Sequence, residues 1–134
     1  MLAVALAGCS PGPRVGGRAD AAGGASSFEV LSKEVFMPTC ATSECHAGNP
    51  PPRAPMSLEA GQTWAALVDA PSYEVPSLRR VAPGDVPGSY LMHKLRGTAE
   101  SVGGIATRMP LGQPMLQEEQ LLAIEDWISQ GAPR

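Results

Sequence analysis

The 134-residue sequence contains few aromatic residues: two tryptophans, two tyrosines and two phenylalanines. A domain with so few large side chains has a thin hydrophobic core, and the 15 glycines and 14 prolines require turns and loops along much of the chain. The length allows one compact domain and a tail. We therefore expect a disulfide, a metal or a buried cofactor to supplement the core.

The sequence also lacks an excess of positive charge and a long apolar run. A formal net charge of -3 argues against nucleic acid as a partner, because phosphate binding needs clustered Lys and Arg. No apolar run reaches the roughly 20 residues of a membrane-spanning helix, so no transmembrane segment is predicted. No nucleophile–base pair or phosphate-binding loop is recognisable, and we expect no enzyme activity.

Residues 1–9 form a short apolar segment that ends in small residues and a cysteine. The basic start of a secretory signal is missing and the apolar run is short, which indicates a truncated signal peptide. Leu6-Ala7-Gly8-Cys9 resembles the lipobox of bacterial lipoproteins, whose cysteine is acylated and becomes the mature N-terminus. We therefore expect lipidation at Cys9; the alternative is a buried free cysteine behind a chance apolar N-terminus.

Residues 10–25 are rich in Gly, Ala and Pro and contain almost no large apolar side chain. Such a segment cannot bury enough surface to offset its ordering entropy, so it is predicted to be a flexible tether with a reach of roughly 20–25 Å. The domain of residues 26–134 would then lie in the cell envelope, as part of a periplasmic or outer-membrane lipoprotein. In this oxidising compartment Cys40 and Cys45 end in a disulfide or are captured by a cofactor.

Hydrophobic periodicity predicts a small all-α domain of three to four helices with long loops. The first helix is expected to begin near Ser26 and to end at Pro38, with Phe28, Leu31 and Val35 as its apolar stripe. Residues 98–114 lack periodicity and are predicted to form a loop. The other predicted helices are a second from Ser57 to about Asp69, a third from Ser89 to Leu95 that Gly97 stops, and a last one that begins near Glu118 and carries Leu121, Ile124 and Ile128.

Cys40, Cys45 and His46 place two thiols and an imidazole within one short segment. The usual covalent haem motif is Cys-x-x-Cys-His, in which the thiols bind the haem and the histidine binds the iron. Here two extra residues separate the cysteines, and a bulged loop would let both sulfurs face the ring. Two alternatives are a Cys40–Cys45 disulfide and a zinc or copper site that recruits His93 as a further ligand.

Segments along the domain follow a particular order: helix, cysteine pair with histidine, loop, Met-Pro pair and terminal helix. They are Phe28–Phe36, Cys40 and Cys45 with His46, Arg80–Asp85 with Ser89–Leu91, Arg108–Pro110 and Trp127–Ala132. This order resembles small class I-type cytochrome c domains, most closely the bacterial lipoprotein and planctomycete-type cytochrome c group. The resemblance covers about residues 28–133 and implies a cytochrome c-like domain.

The resemblance further implies one haem c, attached covalently through Cys40 and Cys45, with His46 and Met109 as the axial iron ligands. The position before Pro110 favours an extended backbone, which leaves the Met109 thioether free to point inward from a loop. A thioether ligand favours reduced iron and raises the reduction potential, as electron carriers require. The rivals for the sixth position are Met115, His93 and an open site.

The implied function is outer-sphere electron transfer at a membrane surface. The partners would be redox proteins of the cell envelope, with membrane lipid contacted through the acylated N-terminus. A guanidinium would neutralise a haem propionate, and the candidates are Arg79, Arg80 and Arg108. Two alternatives belong to other classes: a haem-free, disulfide-stapled envelope lipoprotein that acts as a binding module, and a haem enzyme or gas sensor with an open sixth position.

Cys9→Ser should move the protein from the membrane fraction to the soluble fraction, because removal of the acylation site removes the chains that insert into lipid. Each buried methylene contributes about 0.8 kcal/mol, so two or more chains bind firmly and their loss is readily measured. Fractionation of expressing cells, with mass spectrometry of the mature N-terminus, checks the prediction. A wild-type protein that is exported yet already soluble would contradict it.

Overall fold

The computed structural model describes residues 27–48 and 56–134. These two ranges are helical and contain isolated β-bridges but no strand, as expected of an all-α chain. Within them no helix combines the length and apolar character needed to cross a bilayer. The predicted signal peptide with Cys9, the tether and the predicted cap Ser26 lie outside the described residues. The elements are α1 (Phe28–Leu31), a π-helical segment (Ser32–Phe36), α2 (Met37–Thr39), α3 (Thr63–Leu67), α4 (Tyr90–Arg96), a 3₁₀ helix (Ala99–Val102) and α5 (Glu118–Ser129).

The first helical run covers residues 28–39, and its beginning is set by Ser27. The Ser27 backbone is extended, and its hydroxyl accepts the backbone N–H of Val30 at 3.3 Å. This side chain therefore satisfies one of the free donors of the first turn. The cap lies one residue later than the predicted Ser26.

The run also ends later than predicted. Pro38 lies inside α2 rather than at the end of the helix. Pro38 has no N–H to donate to the preceding turn, and it directly follows Met37, whose N–H closes the π-helical segment by bonding to the carbonyl of Ser32. The run closes where the N–H groups of Cys40 and Ala41 both donate to the carbonyl of Phe36, each at 2.9 Å. Cys40 thus directly follows the end of this helical run.

Two other predicted segments differ from the structure. The helix predicted over residues 57–69 is limited to Thr63–Leu67. Gly61 has a φ of +81°, a left-handed conformation that interrupts a right-handed helix. The predicted loop 98–114 contains one short 3₁₀ helix, Ala99–Val102. Hydrophobic periodicity in the sequence does not indicate it.

The third predicted helix is close to the observed α4. Ser89 precedes it, and Gly97 ends it in a left-handed conformation with a φ of +74°. The Ser89 hydroxyl does not cap α4, however. It accepts the N–H of Ala82 at 2.9 Å and donates to the carbonyl of Asp85 at 2.7 Å, which closes the turn before the helix. Ser89 is fully buried, so these bonds satisfy polar groups that water does not reach.

The helices α1 and α5 pack together around Trp127. Its ring centroid lies 5.6 Å from that of Phe28 and 6.4 Å from that of Phe36. The indole N–H donates to the carbonyl of Pro133 at 2.7 Å, so the fully buried Trp127 has its polar atom paired. The two predicted apolar stripes share one buried core: Leu31 and Val35 from the first run, with Leu121, Ile124 and Ile128 from α5.

The segment between α3 and α4 forms backbone hydrogen bonds at Arg80 and Val81. The N–H of Val81 donates to the carbonyl of Leu67 at 3.1 Å, and the N–H of Arg80 donates to the carbonyl of Ala70 at 2.7 Å. On its other side, the carbonyl of Arg80 accepts the N–H of Leu91 at 2.9 Å. These bonds fix Arg80 between the two helices.

Leu121→Ala should lower the free energy of unfolding by about 2–5 kcal/mol, because Leu121 is fully buried and its removal leaves a cavity in the core. Leu122→Ala is the matched control on the same helix, since Leu122 is 52% exposed and its truncation should change stability by less than about 0.5 kcal/mol. Urea unfolding of both variants measures the difference. Equal losses would contradict the packing of α5 described above.

Candidate functional site

A cavity of about 790 Å³ opens beside the end of α2. Its lining is mainly apolar, as in most small-molecule sites. The contributing segments lie within residues 38–46, 56–58, 72–74 and 109–114, together with Leu67, Arg80 and the face of α4 that carries Tyr90, Leu91, Lys94 and Leu95. The cavity is therefore formed by parts of the chain that are far apart in sequence.

Cys40, Cys45 and His46 all line this cavity. The residues between the cysteines form a tight turn, in which the carbonyl of Thr42 accepts the N–H of Cys45 at 3.0 Å and that of Ala47 at 3.1 Å. The N–H of His46 in turn donates to the carbonyl of Cys40 at 3.2 Å. The turn takes up the two extra residues of the motif, so the longer spacing still leaves both thiols and the imidazole at one cavity.

His46 is only 7% exposed and is fixed by its own backbone. Its carbonyl accepts the N–H of Leu58 at 2.8 Å, and Leu58 is itself buried in the core. The backbone of His46 is therefore anchored to the hydrophobic core, and its side chain lines the cavity.

Cys40 and Cys45 are free thiols in this structure. Burial, together with the neighbouring Cys45, raises the pKa of the Cys40 thiol from 9.0 to about 11. Cys40 is consequently protonated at neutral pH, which disfavours it as a thiolate nucleophile.

Of the three predicted candidates for the sixth ligand, only Met109 lines the cavity. Met115 is 48% exposed and lies outside the cavity lining. His93 also lies outside it, and its two ring nitrogens bond to the carbonyl of Pro87 at 2.9 Å and to the hydroxyl of Thr98 at 3.0 Å. Met109 and His46 therefore line the same cavity, although they are far apart in the sequence.

The three predicted arginines occupy different places. Arg80 lines the cavity, donates to the carbonyl of Ala66 at 2.8 Å, and has its pKa lowered by burial. Arg79 donates to the carbonyl of Asp69 and Arg108 to that of Gln113, and neither lines the cavity. Arg80 is thus the guanidinium available to an anionic group inside it.

A polar cluster on the cavity wall was not anticipated from the sequence. Tyr90 donates a short hydrogen bond to the carboxylate of Glu74, and the Lys94 ammonium lies 3.2 Å from both oxygens of that carboxylate. The backbone N–H of Ile105 also donates to Glu74, at 3.1 Å. These residues come from a loop, from α4 and from a second loop, so no local pattern could have revealed their association.

The cluster sets the protonation of its members. Burial by itself raises the pKa of Glu74, but the hydrogen bonds from Tyr90, Ile105 and Lys94 outweigh it and hold this pKa below its usual value. Burial and the hydrogen bond to Glu74 raise the pKa of Tyr90. Glu74 is consequently ionised at neutral pH, while the Tyr90 hydroxyl keeps its proton and remains a donor.

Within residues 27–48 and 56–134, no group of three or more His, Cys, Asp and Glu side chains is arranged to hold a metal ion. Comparison of the chain with protein-family models, with curated proteins and with solved structures gives no match.

Proposed function

We propose that this protein is a lipid-anchored, mono-haem c-type cytochrome that carries electrons by outer-sphere transfer. The observation that carries the proposal is the shared cavity: Cys40, Cys45, His46 and Met109 all line it. Met109 belongs to a loop far from the cysteines in the sequence, whereas the alternative ligands Met115 and His93 do not line the cavity. Two thiols, an imidazole and a thioether are the side chains that a covalently attached, His/Met-ligated haem requires.

The cavity suits a large apolar cofactor in size and lining. Its volume of about 790 Å³ lies within the roughly 300–1,000 Å³ of small-molecule sites, and its walls are mainly apolar. Cys40 and Cys45 would hold the haem by thioether bonds, with His46 and Met109 as axial ligands. Haem bound in this way gains and releases one electron, and a thioether ligand favours the reduced state.

The charge of the cavity wall supports the same assignment. Arg80 is the one candidate guanidinium that lines the cavity, and its donor geometry matches a carboxylate. It would neutralise a haem propionate while its bond to Ala66 keeps it in place. Arg79 and Arg108 would not serve this role, because they do not line the cavity.

The cellular setting follows from the N-terminal segment. Acylation at Cys9 would hold the domain in the cell envelope, on a tether of residues 10–25, where it would meet redox partner proteins. We further infer a cytochrome c-like arrangement of the helices, supported by the packing of α1 against α5 around Trp127 and by the cysteine loop that follows α2. The proposed protein carries electrons and performs no substrate chemistry.

Protein made in cells with haem-ligation machinery should be red and should keep its haem after acid denaturation, because thioether bonds survive the loss of iron ligation. The double variant Cys40→Ala/Cys45→Ala should lose the haem under the same treatment, while Cys9→Ser should retain it. Absorbance and intact mass measure the attachment. A colourless wild-type protein of apo mass with a Cys40–Cys45 disulfide would overturn the cytochrome proposal in favour of the haem-free lipoprotein.

Met109→Ala should abolish the weak sulfur-to-iron absorption band of the oxidised protein, lower its reduction potential, and admit carbon monoxide to the reduced form. Met115→Ala is the matched control, because the exposed Met115 lies outside the cavity lining, and it should change none of the three. His93→Ala is a second control of the same kind. Wild-type protein that already binds carbon monoxide readily would indicate an open sixth position, as in a haem enzyme or gas sensor.

A further inference from the structure

The loop that carries Met109 is attached to the domain by polar contacts. Its apolar residue Ile105 is 60% exposed, so hydrophobic packing does not fix this side chain. The N–H of Met109 instead donates to the carbonyl of Lys94 at 2.9 Å. Farther back in the loop, the Lys94 ammonium donates to the carbonyl of Ile105 at 3.3 Å and to the hydroxyl of Thr107 at 3.0 Å. One residue of α4 therefore holds the loop at three points.

Glu74 completes the attachment from another side. Its carboxylate accepts the N–H of Ile105 at 3.1 Å and also binds the Lys94 ammonium. Tyr90, one turn before Lys94 on α4, donates to the same carboxylate. Gly104 is packed so closely against the Tyr90 hydroxyl that a Cβ atom there would clash with it. The loop start, α4 and the loop around Glu74 thus meet at one partly buried ion pair, in which the Lys94 side chain is 9% exposed and that of Glu74 22%.

The contacts of Lys94 show that it acts on the loop and not on the contents of the cavity. An ammonium has three N–H donors, and those of Lys94 are within bonding distance of Glu74, Ile105 and Thr107. The residue is only 7% exposed. All donors are therefore engaged by the protein, and none is left for an anionic group of a cofactor.

A partly buried ion pair such as this one is a poor source of net stability, because desolvation of the charges offsets much of their attraction. Its hydrogen bonds are directional, however, and they define one geometry for the groups that they join. We propose that Glu74 and Lys94 are positioning residues, which hold the loop so that the Met109 thioether faces the cavity opposite the cysteine–histidine segment. This inference rests on the proposed function, in which Met109 is an iron ligand.

The test uses the double variant Glu74→Gln/Lys94→Met, which removes both charges together and so leaves neither without its partner. In the full-length protein as purified, hydrogen exchange at the amides of Met109 and Ile105 should become faster by about tenfold or more, because the loop opens locally. Exchange at the amide of Trp127, in the last turn of α5, should stay unchanged. In the haem-loaded protein the sulfur-to-iron band should weaken and carbon monoxide should bind the reduced form.

Arg96→Met/Glu125→Gln is the matched control, because it also removes an ion pair from α4, one that joins α4 to α5 at a distance of 2.7 Å. It also removes the second ion pair of Arg96, with Glu118 at 3.1 Å, and should still leave exchange at Met109 and the sulfur-to-iron band unchanged. Lys94→Arg, which keeps the charge and several donors, should retain more of the band than the double variant does.

The outcomes separate the two proposals. Unchanged exchange at Met109 in the double variant overturns the positioning role, whether or not haem is present. Equal acceleration at Met109 and Trp127 also overturns it, since the pair would then be a general stabiliser. If exchange in the loop is faster in the double variant than in the wild type, but the wild type never acquires haem, the attachment of the loop is supported and the cytochrome function is overturned.

Discussion

The packing of α1 against α5 around Trp127 is the interaction on which the rest of the structure depends. Three of the six aromatic residues of the chain, Phe28, Phe36 and Trp127, meet there. Because the helical run of α1 leads without interruption into Cys40, the docking of α1 on α5 also sets where the cysteine–histidine loop begins. The indole of Trp64 donates to the carbonyl of Ala132 at 3.0 Å, which ties α3 to the end of the chain after α5.

A core built on so few large side chains leaves a cavity beside it, and the core residues Leu58, Leu67 and Leu95 form part of the cavity wall. Most small-molecule sites are concave and mainly apolar, and a cavity of about 790 Å³ with a mainly apolar lining is of this kind. The composition pointed in the same direction, because a thin core needs a cofactor or a covalent link to supplement it.

Much of the helical structure could be predicted because its signals are local. Gly97 marks the end of α4, as the sequence predicts. The apolar residues Leu121, Ile124 and Ile128 likewise identify the buried face of α5. The helix predicted over residues 57–69 was too long, because Gly61 adopts a left-handed conformation that hydrophobic periodicity does not reveal. Ser89 was placed correctly at the start of α4, yet its hydroxyl bonds to a preceding turn, since tertiary contacts decide which partner a buried hydroxyl finds.

The candidate site shows the same division between local and long-range information. The cysteine–histidine segment is contiguous, so its chemistry is visible in the sequence, whereas Glu74 lies 16 residues from Tyr90 and 20 from Lys94. No periodicity links such positions, and their pairing arises only when the chain folds. The loop that carries Met109 leaves Ile105 and Leu111 exposed, while Met109 itself packs against the hydrophobic core. The partly buried Glu74–Lys94 ion pair adds directional hydrogen bonds at Ile105 and Thr107, shortly before the proposed ligand.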